Sequence, residues 1–155
     1  MKKALISITS VLMALMLLAS CGKAPAAELN IGEVYQKVTD GIAMPAETVE
    51  LSADDLIDYY GIEAEKVADF KAVQDACGYK DEIVILKAKN EDGAKEAEAM
   101  LKEHIEYQME EMRDYDAEQY KVLESSMVCT NGLYVAMFIS AEQSEMEEIF
   151  NSFFK

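Results

Sequence analysis

Ten residues near the C-terminal end, NGLYVAMFIS from Asn131 to Ser140, constrain the fold more than any other stretch. An Asn-Gly pair between two β-prone runs, MVCT before it and LYVAMFIS after it, is a strong local signal for a hairpin, because a type I′ turn needs positive φ at both central residues. In the second run Leu133, Val135, Met137 and Ile139 fall on one side and Tyr134, Ala136 and Phe138 on the other. A strand that is apolar on both faces belongs in the middle of a sheet or under helices on both sides.

Periodicity supplies the partners. Ile31, Val34, Tyr35, Val38 and Ile42 recur at helical spacing, which predicts a helix over 30–43. Ser52 with Asp55 three residues on is a variant of the capping box, and Gly61-Ile62 has the pattern of a Schellman ending, so a short helix is expected over 53–60. KVADFKAV and EIVILKAK read as two strands joined by the turn residues CGYKD. From residue 92 to about 112, Ala94, Ala97, Leu101, Ile105, Met109 and Met112 step by three or four, marking the longest helix. Glu91 to Lys95 and Glu98 to Lys102 are favourable pairs on it, whereas Glu106 and Glu110 repel. A shorter helix is expected over 117–124, and Ser144 with Glu147 forms a capping box ahead of Met146, Ile149, Phe150 and Phe153. The order α-α-β-β-α-β-β-α implies an α+β domain: a small antiparallel sheet of about four strands in two hairpins, packed by helices.

The chain opens with MKK, an uncharged apolar run, and then Leu18-Ala19-Ser20-Cys21. This is the layout of a secretory signal peptide. The run is shorter than the roughly 20 apolar residues of a membrane span, and it carries Ser7, Thr9 and Ser10. The four residues ending at Cys21 resemble the bacterial lipobox, in which the cysteine thiol receives a diacylglycerol before cleavage. That resemblance implies residues 1–20 as a cleaved signal, Cys21 as the lipidation site and mature N-terminus, and 21–29 as lipidated tether. Residues 30–155 are then one domain, held at the extracytoplasmic face of the cell membrane by acyl chains. Extended at about 3.3 Å per residue, GKAPAAEL reaches at most about 26 Å.

The chain has 14 basic and 30 acidic residues; removal of Lys2 and Lys3 leaves 12 against 30, a formal charge of −18. A nucleic-acid partner is excluded on that balance, since binding a polyanion needs a basic patch, and an anionic membrane surface repels the domain as well. Beyond Cys21 the thiols are Cys77 and Cys129, too few for a disulfide scaffold. They are read as free thiols, with a single bridge as the alternative in an exported protein.

The succession DLIDYYGI, DEIVILKAK, a long Glu-rich helix, NGLYVAMFIS and a closing helix ending in IFNSFF resembles the small bacterial lipoproteins of domain-of-unknown-function family 4358, over roughly 30 to 154. The resemblance implies a lipid-anchored envelope protein of Gram-positive bacteria, with no assigned reaction, ligand or catalytic residue. One departure is Ala117, where the family pattern favours proline.

Signatures of chemistry are sparse. His104 is the one histidine and is read as a solvated residue of the long helix rather than a catalytic or metal ligand, because such sites need several convergent groups. Ser125-Ser126 lacks a nucleophile-elbow context, and the phosphate-loop, dinucleotide and calcium-loop patterns are missing. Asp54-Asp55 and Glu110-Glu111 are read as solvated surface. Met100, Met109, Met112, Met127, Met137 and Met146 are read as core filling. Tyr59, Tyr60, Tyr107, Tyr115 and Tyr120 either line a groove or pack half-buried. No cofactor or metal is expected. Two functions stay open: a non-catalytic binding module for an envelope protein, peptide or wall component, and a cell-surface enzyme using carboxylates such as Glu82, Glu118 or Asp81 as acid or base. The absence of any reactive triad favours the first.

Overall fold

The computed structural model describes residues 28–77 and 80–155. The expected signal peptide, Cys21 and nearly all of the tether lie outside the described residues, as do two residues of the CGYKD turn. The elements are α1 (Ile31–Thr39), β1 (Thr48–Glu50), α2 (Ala53–Tyr60), a 3-10 turn (Ala64–Lys66), β2 (Val67–Asp75), β3 (Glu82–Ala88), α3 (Glu91–Met112), α4 (Ala117–Ser125), β4 (Met127–Asn131), β5 (Tyr134–Ile139) and α5 (Gln143–Ser152). The strands form one sheet in the order β1-β2-β3-β5-β4, antiparallel throughout.

The sheet is α+β in character as expected, with one more strand than the sequence indicated. Thr48–Glu50 pairs with Val73–Asp75 at the edge. All three of its residues are exposed, so β1 has no apolar alternation to announce it.

β5 lies between β3 and β4 with every residue buried. Its alternate residues feed separate cores, as the two-sided pattern requires. Val135, Met137 and Ile139 join Val84 and Leu86 of β3 under α2, α3 and α4. Tyr134, Ala136 and Phe138 join Ile83 and Ile85 under α1 and α5. The second core holds Phe150, whose ring meets Phe138 edge-on at 6.0 Å.

Local chemistry fixes the helix ends. Ser52 and Asp55 form the reciprocal capping box: the serine hydroxyl accepts from the Asp55 N–H at 3.3 Å and the Asp55 carboxylate accepts from the Ser52 N–H at 2.6 Å. Asp55 is therefore a cap rather than merely solvated surface. Gly61 ends α2 at φ 69°, with its N–H donating to the Ile57 carbonyl at 2.9 Å, the left-handed turn that glycine adopts without strain. Asn90 and Asp116 cap α3 and α4. Ala117 is thus the first residue of α4, the position where proline is tolerated, so the departure from the family pattern leaves this helix start intact.

The expected Ser144–Glu147 capping box does not form. α5 begins earlier, with Gln143 as its first residue and no side-chain cap on Glu142. The Gln143 side chain donates to the Ser125 carbonyl at 3.0 Å, and the Ser140 hydroxyl accepts from the Glu142 N–H. These contacts turn the chain into the helix before Ser144, and Glu147 accepts instead from Asn151.

Candidate functional site

Glu82 is the first residue of β3 and lies on the same face as Val84 and Leu86, under α2 and α3. A carboxylate placed there must be paired, because burial of an unpaired charge is prohibitive. Three side chains satisfy it. The Tyr60 hydroxyl donates to Oε2 at 3.1 Å, His104 Nε2 lies 2.9 Å from the same oxygen, and the Gln108 amide donates to Oε1. The Glu82 side chain is 3% exposed and that of His104 12%.

The expectation of a solvated His104 is therefore wrong. On α3 the core stripe of Ala94, Ala97, Leu101 and Ile105 is flanked by a second face, Met100, Glu103, His104 and Tyr107, spaced i, i+3, i+4 and i+7. That face turns toward the C-terminal end of α2. His104 packs edge-on against the Tyr60 ring, centroids 4.7 Å apart. Its hidden partner lies 22 positions earlier on another element, which helix periodicity alone does not disclose.

Proton placement in the cluster is constrained. With Glu82 ionised, Nε2–H of His104 donates to it. The Gln108 nitrogen also sits 2.9 Å from His104 Nε2, while Gln108 Oε1 is buried and finds no hydrogen-bond partner among the described residues. Turning that amide over would set Oε1 against the carboxylate, so the nitrogen keeps the contact. The Tyr60 phenol is pushed far above its ordinary value, first by burial and then by the adjacent Glu82 charge, and remains a donor.

Above the cluster opens a cleft of about 310 Å³ lined by Tyr59, Tyr60, Gly61, Met100, Glu103, His104 and Tyr107. Tyr59 and Tyr107 are 52% and 62% exposed. Of the tyrosines considered for a groove, Tyr59, Tyr60 and Tyr107 line this one, Tyr120 packs against the core, and Tyr115 is solvated.

The other residues singled out from sequence are dispersed. Asp81 is half-buried and does not line the cleft; burial raises its carboxyl above the usual range, opposed by a hydrogen bond with Ser140. Glu118 is exposed in the first turn of α4. Cys77 is an exposed free thiol and Cys129 a buried one, pushed up to about 12 chiefly by burial, with the Glu147 charge adding to it. Met112, Met137 and Met146 are buried core, and Met100 and Met109 pack against it, but Met127 is exposed on the edge strand. Among the described residues no cluster of three or more His, Cys, Asp or Glu side chains could hold a metal ion, and no helix is long and apolar enough to cross a membrane.

A family model described as Domain of unknown function (DUF4358) matches residues 43–140. The chain belongs to this family. The matched segment takes in Tyr59, Tyr60, Glu82, Glu103, His104, Tyr107 and Gln108, so both the cluster and the cleft lie within the family domain, while α1 and α5 flank it. No curated protein and no solved structure matches the chain.

Proposed function

We propose that the chain is a lipid-anchored envelope lipoprotein, held by Cys21 at the extracytoplasmic face of the cell membrane, whose domain is a non-catalytic binding module with the tyrosine-lined cleft as its ligand site. The observation that carries this reading is the state of Glu82. Its two oxygens already accept from Tyr60, His104 and Gln108, so it holds the cleft floor together rather than standing free to move a proton. Among the described residues, the cleft lining contributes no serine, threonine or cysteine and one carboxylate, the exposed Glu103. The envelope location accords with the lipobox resemblance of Leu18-Ala19-Ser20-Cys21.

Two experiments test it. Radiolabelled fatty acid should enter the parent protein and not Cys21→Ala; label retained by the variant removes the anchor. On intact cells, a photo-crosslinking residue at Tyr107 should give discrete adducts that the same group at Tyr115, outside the cleft, does not. Identical adducts from both positions would remove the cleft from the reading.

The enzyme alternative rests on one observation, the 2.9 Å contact that couples Glu82 to a histidine bordering the cleft. A hydrolytic activity of the purified protein that Glu82→Gln abolishes, with the fold retained, would put acid–base chemistry in place of simple binding.

A further inference from the structure

The cleft's composition narrows what it can hold. Its walls are aromatic and thioether surface: Tyr59 and Tyr60 lie with ring centroids 6.4 Å apart and planes tilted by 51°, and Tyr107 and Met100 complete the lining. Among the described residues lining it, none is Lys or Arg. Negative charge comes from Glu103 at the rim and from Glu82 at the Tyr60 hydroxyl, where it also faces His104 Nε2. The Glu82–His104 pair therefore adds no net positive charge. A chain of formal charge −16 further raises the local concentration of cations.

We propose that the cleft binds a quaternary ammonium group of the alkyltrimethylammonium type against the exposed rings of Tyr59 and Tyr107, over a floor that includes the buried Tyr60. This inference rests on the reading of the cleft as the ligand site. Electron-rich ring faces attract cations, and tyrosine is among the side chains that do so. The quaternary form is selected over other organic cations by hydrogen-bond accounting. A primary ammonium brings three N–H donors and a guanidinium five, and each donor taken from water must find an acceptor. Glu82 is buried and already takes three donors, which leaves Glu103, the phenol oxygens and Nδ1 of His104 as the few acceptors in the cleft. A trimethylammonium head has no N–H to satisfy, and its methyl groups pack on aromatic and thioether surface. Anions are repelled by both carboxylates.

The test is calorimetric titration of the full-length protein, in a non-ionic detergent, with choline at low salt. Choline should bind, 3,3-dimethylbutanol, its neutral isostere, should bind at least about tenfold more weakly, and potassium chloride at matched ionic strength should give no heat of binding. Tyr59→Ser and Tyr107→Ser should each weaken choline by about two- to fivefold, while Tyr59→Phe and Tyr107→Phe keep it within about twofold, since the ring and not the hydroxyl carries the attraction. Both positions are exposed, so the variants should keep the fold, as surface changes usually do. Competition by phosphatidylcholine presented in mixed micelles of the same detergent assigns the group to a lipid headgroup, and its absence assigns it to a free small cation. Equal binding of the neutral isostere, no binding of choline, or serine variants that bind like the parent would each overturn the inference. If discrete crosslinks at Tyr107 persist in that event, the cleft remains a binding site for another chemistry; if they fail too, both readings fall together.

Discussion

The two faces of the sheet are built from alternate residues of the same strands and yet are different environments. Ile83 and Ile85 of β3 point into the core under α1 and α5, where Phe138, Met146 and Phe150 are fully buried and Phe154 stacks edge-on against Phe150 at 5.2 Å. Glu82, Val84 and Leu86 point the other way, and the first of these replaces an aliphatic side chain by a carboxylate. On the α1/α5 face shape complementarity does the stabilising. On the α2/α3 face the strand end carries a charge that must be matched by three donors drawn from two helices, Tyr60 on one and His104 and Gln108 on the other. Such a network ties α2 to α3 at one orientation and so shapes the cleft between them. A local rule broken inside a sheet that otherwise obeys it marks the place where function is to be sought.

The contrast predicts unequal responses to substitution, read by chemical denaturation. Phe150→Ala should cost about 3–5 kcal/mol, since it leaves a cavity in a closed aromatic core. Tyr60→Phe keeps the ring against His104 but removes one donor from a buried carboxylate, and should cost about 1.5–3 kcal/mol. A loss for Tyr60→Phe larger than that for Phe150→Ala would reverse the assignment of the two faces, making the polar cluster the main stabiliser.

Alkaline pH probes both faces at once. The Cys129 thiol, in the α1/α5 core, is held up at about 12 against an ordinary 9.0, and the Tyr60 phenol across the sheet is also raised. Between those limits the unfolded chain has released protons that the native state keeps, so stability is full below about pH 9 and declines as pH rises toward 12. Each such group contributes at most about 1.4 kcal/mol per pH unit. Cys129→Ala should flatten the decline from its onset, and Tyr60→Phe should flatten the portion above the ordinary tyrosine value of 10.0. Denaturation midpoints that stay flat from pH 9 to 11 in the parent would mean that neither group is shielded from water.

Much of the architecture was legible because its signals are local. The two-sided strand, the Ser52–Asp55 box and the glycine ending of α2 each encode their geometry within a few residues. The turn before that strand is not the expected type I′: Asn131 ends β4 paired with Tyr134, and only Gly132, at φ 61°, takes the positive φ that a type I′ turn would need at both Asn131 and Gly132. β1 escaped because a three-residue edge strand with no buried side chain leaves no periodic trace. The start of α5 was displaced because the Gln143 contact to Ser125 is tertiary. The same reason hid the cluster. The sequence presents Glu82 as a free acid or base and His104 as solvated, yet what defines both is their contact across 22 residues. Gln108 carried no sequence signal at all. Of the five tyrosines that either line a groove or pack half-buried, Tyr59, Tyr60 and Tyr107 line the cleft while Tyr115 and Tyr120 do not, and the i, i+3, i+4, i+7 spacing from Met100 to Tyr107 joins Glu103 and His104 to the first three.

The smallest expected effect separates neighbours on one helix. Glu103 and His104 are adjacent in sequence, but the first is exposed at the cleft rim and the second reaches down to the buried carboxylate. Glu103 makes no hydrogen bond or ion pair among the described residues, so Glu103→Gln should leave stability within about 0.5 kcal/mol of the parent, as surface changes usually do. The same substitution removes the one carboxylate directly lining the cleft and should weaken choline by about two- to fivefold at low salt, with the difference shrinking as salt screens it. His104→Ala should do the opposite to stability, stripping a donor from Glu82 at a cost of about 1–3 kcal/mol. A Glu103→Gln variant that is destabilised as much as His104→Ala would show that the rim belongs to the structural network, and the distinction drawn between the floor of the cleft and its edge would not hold.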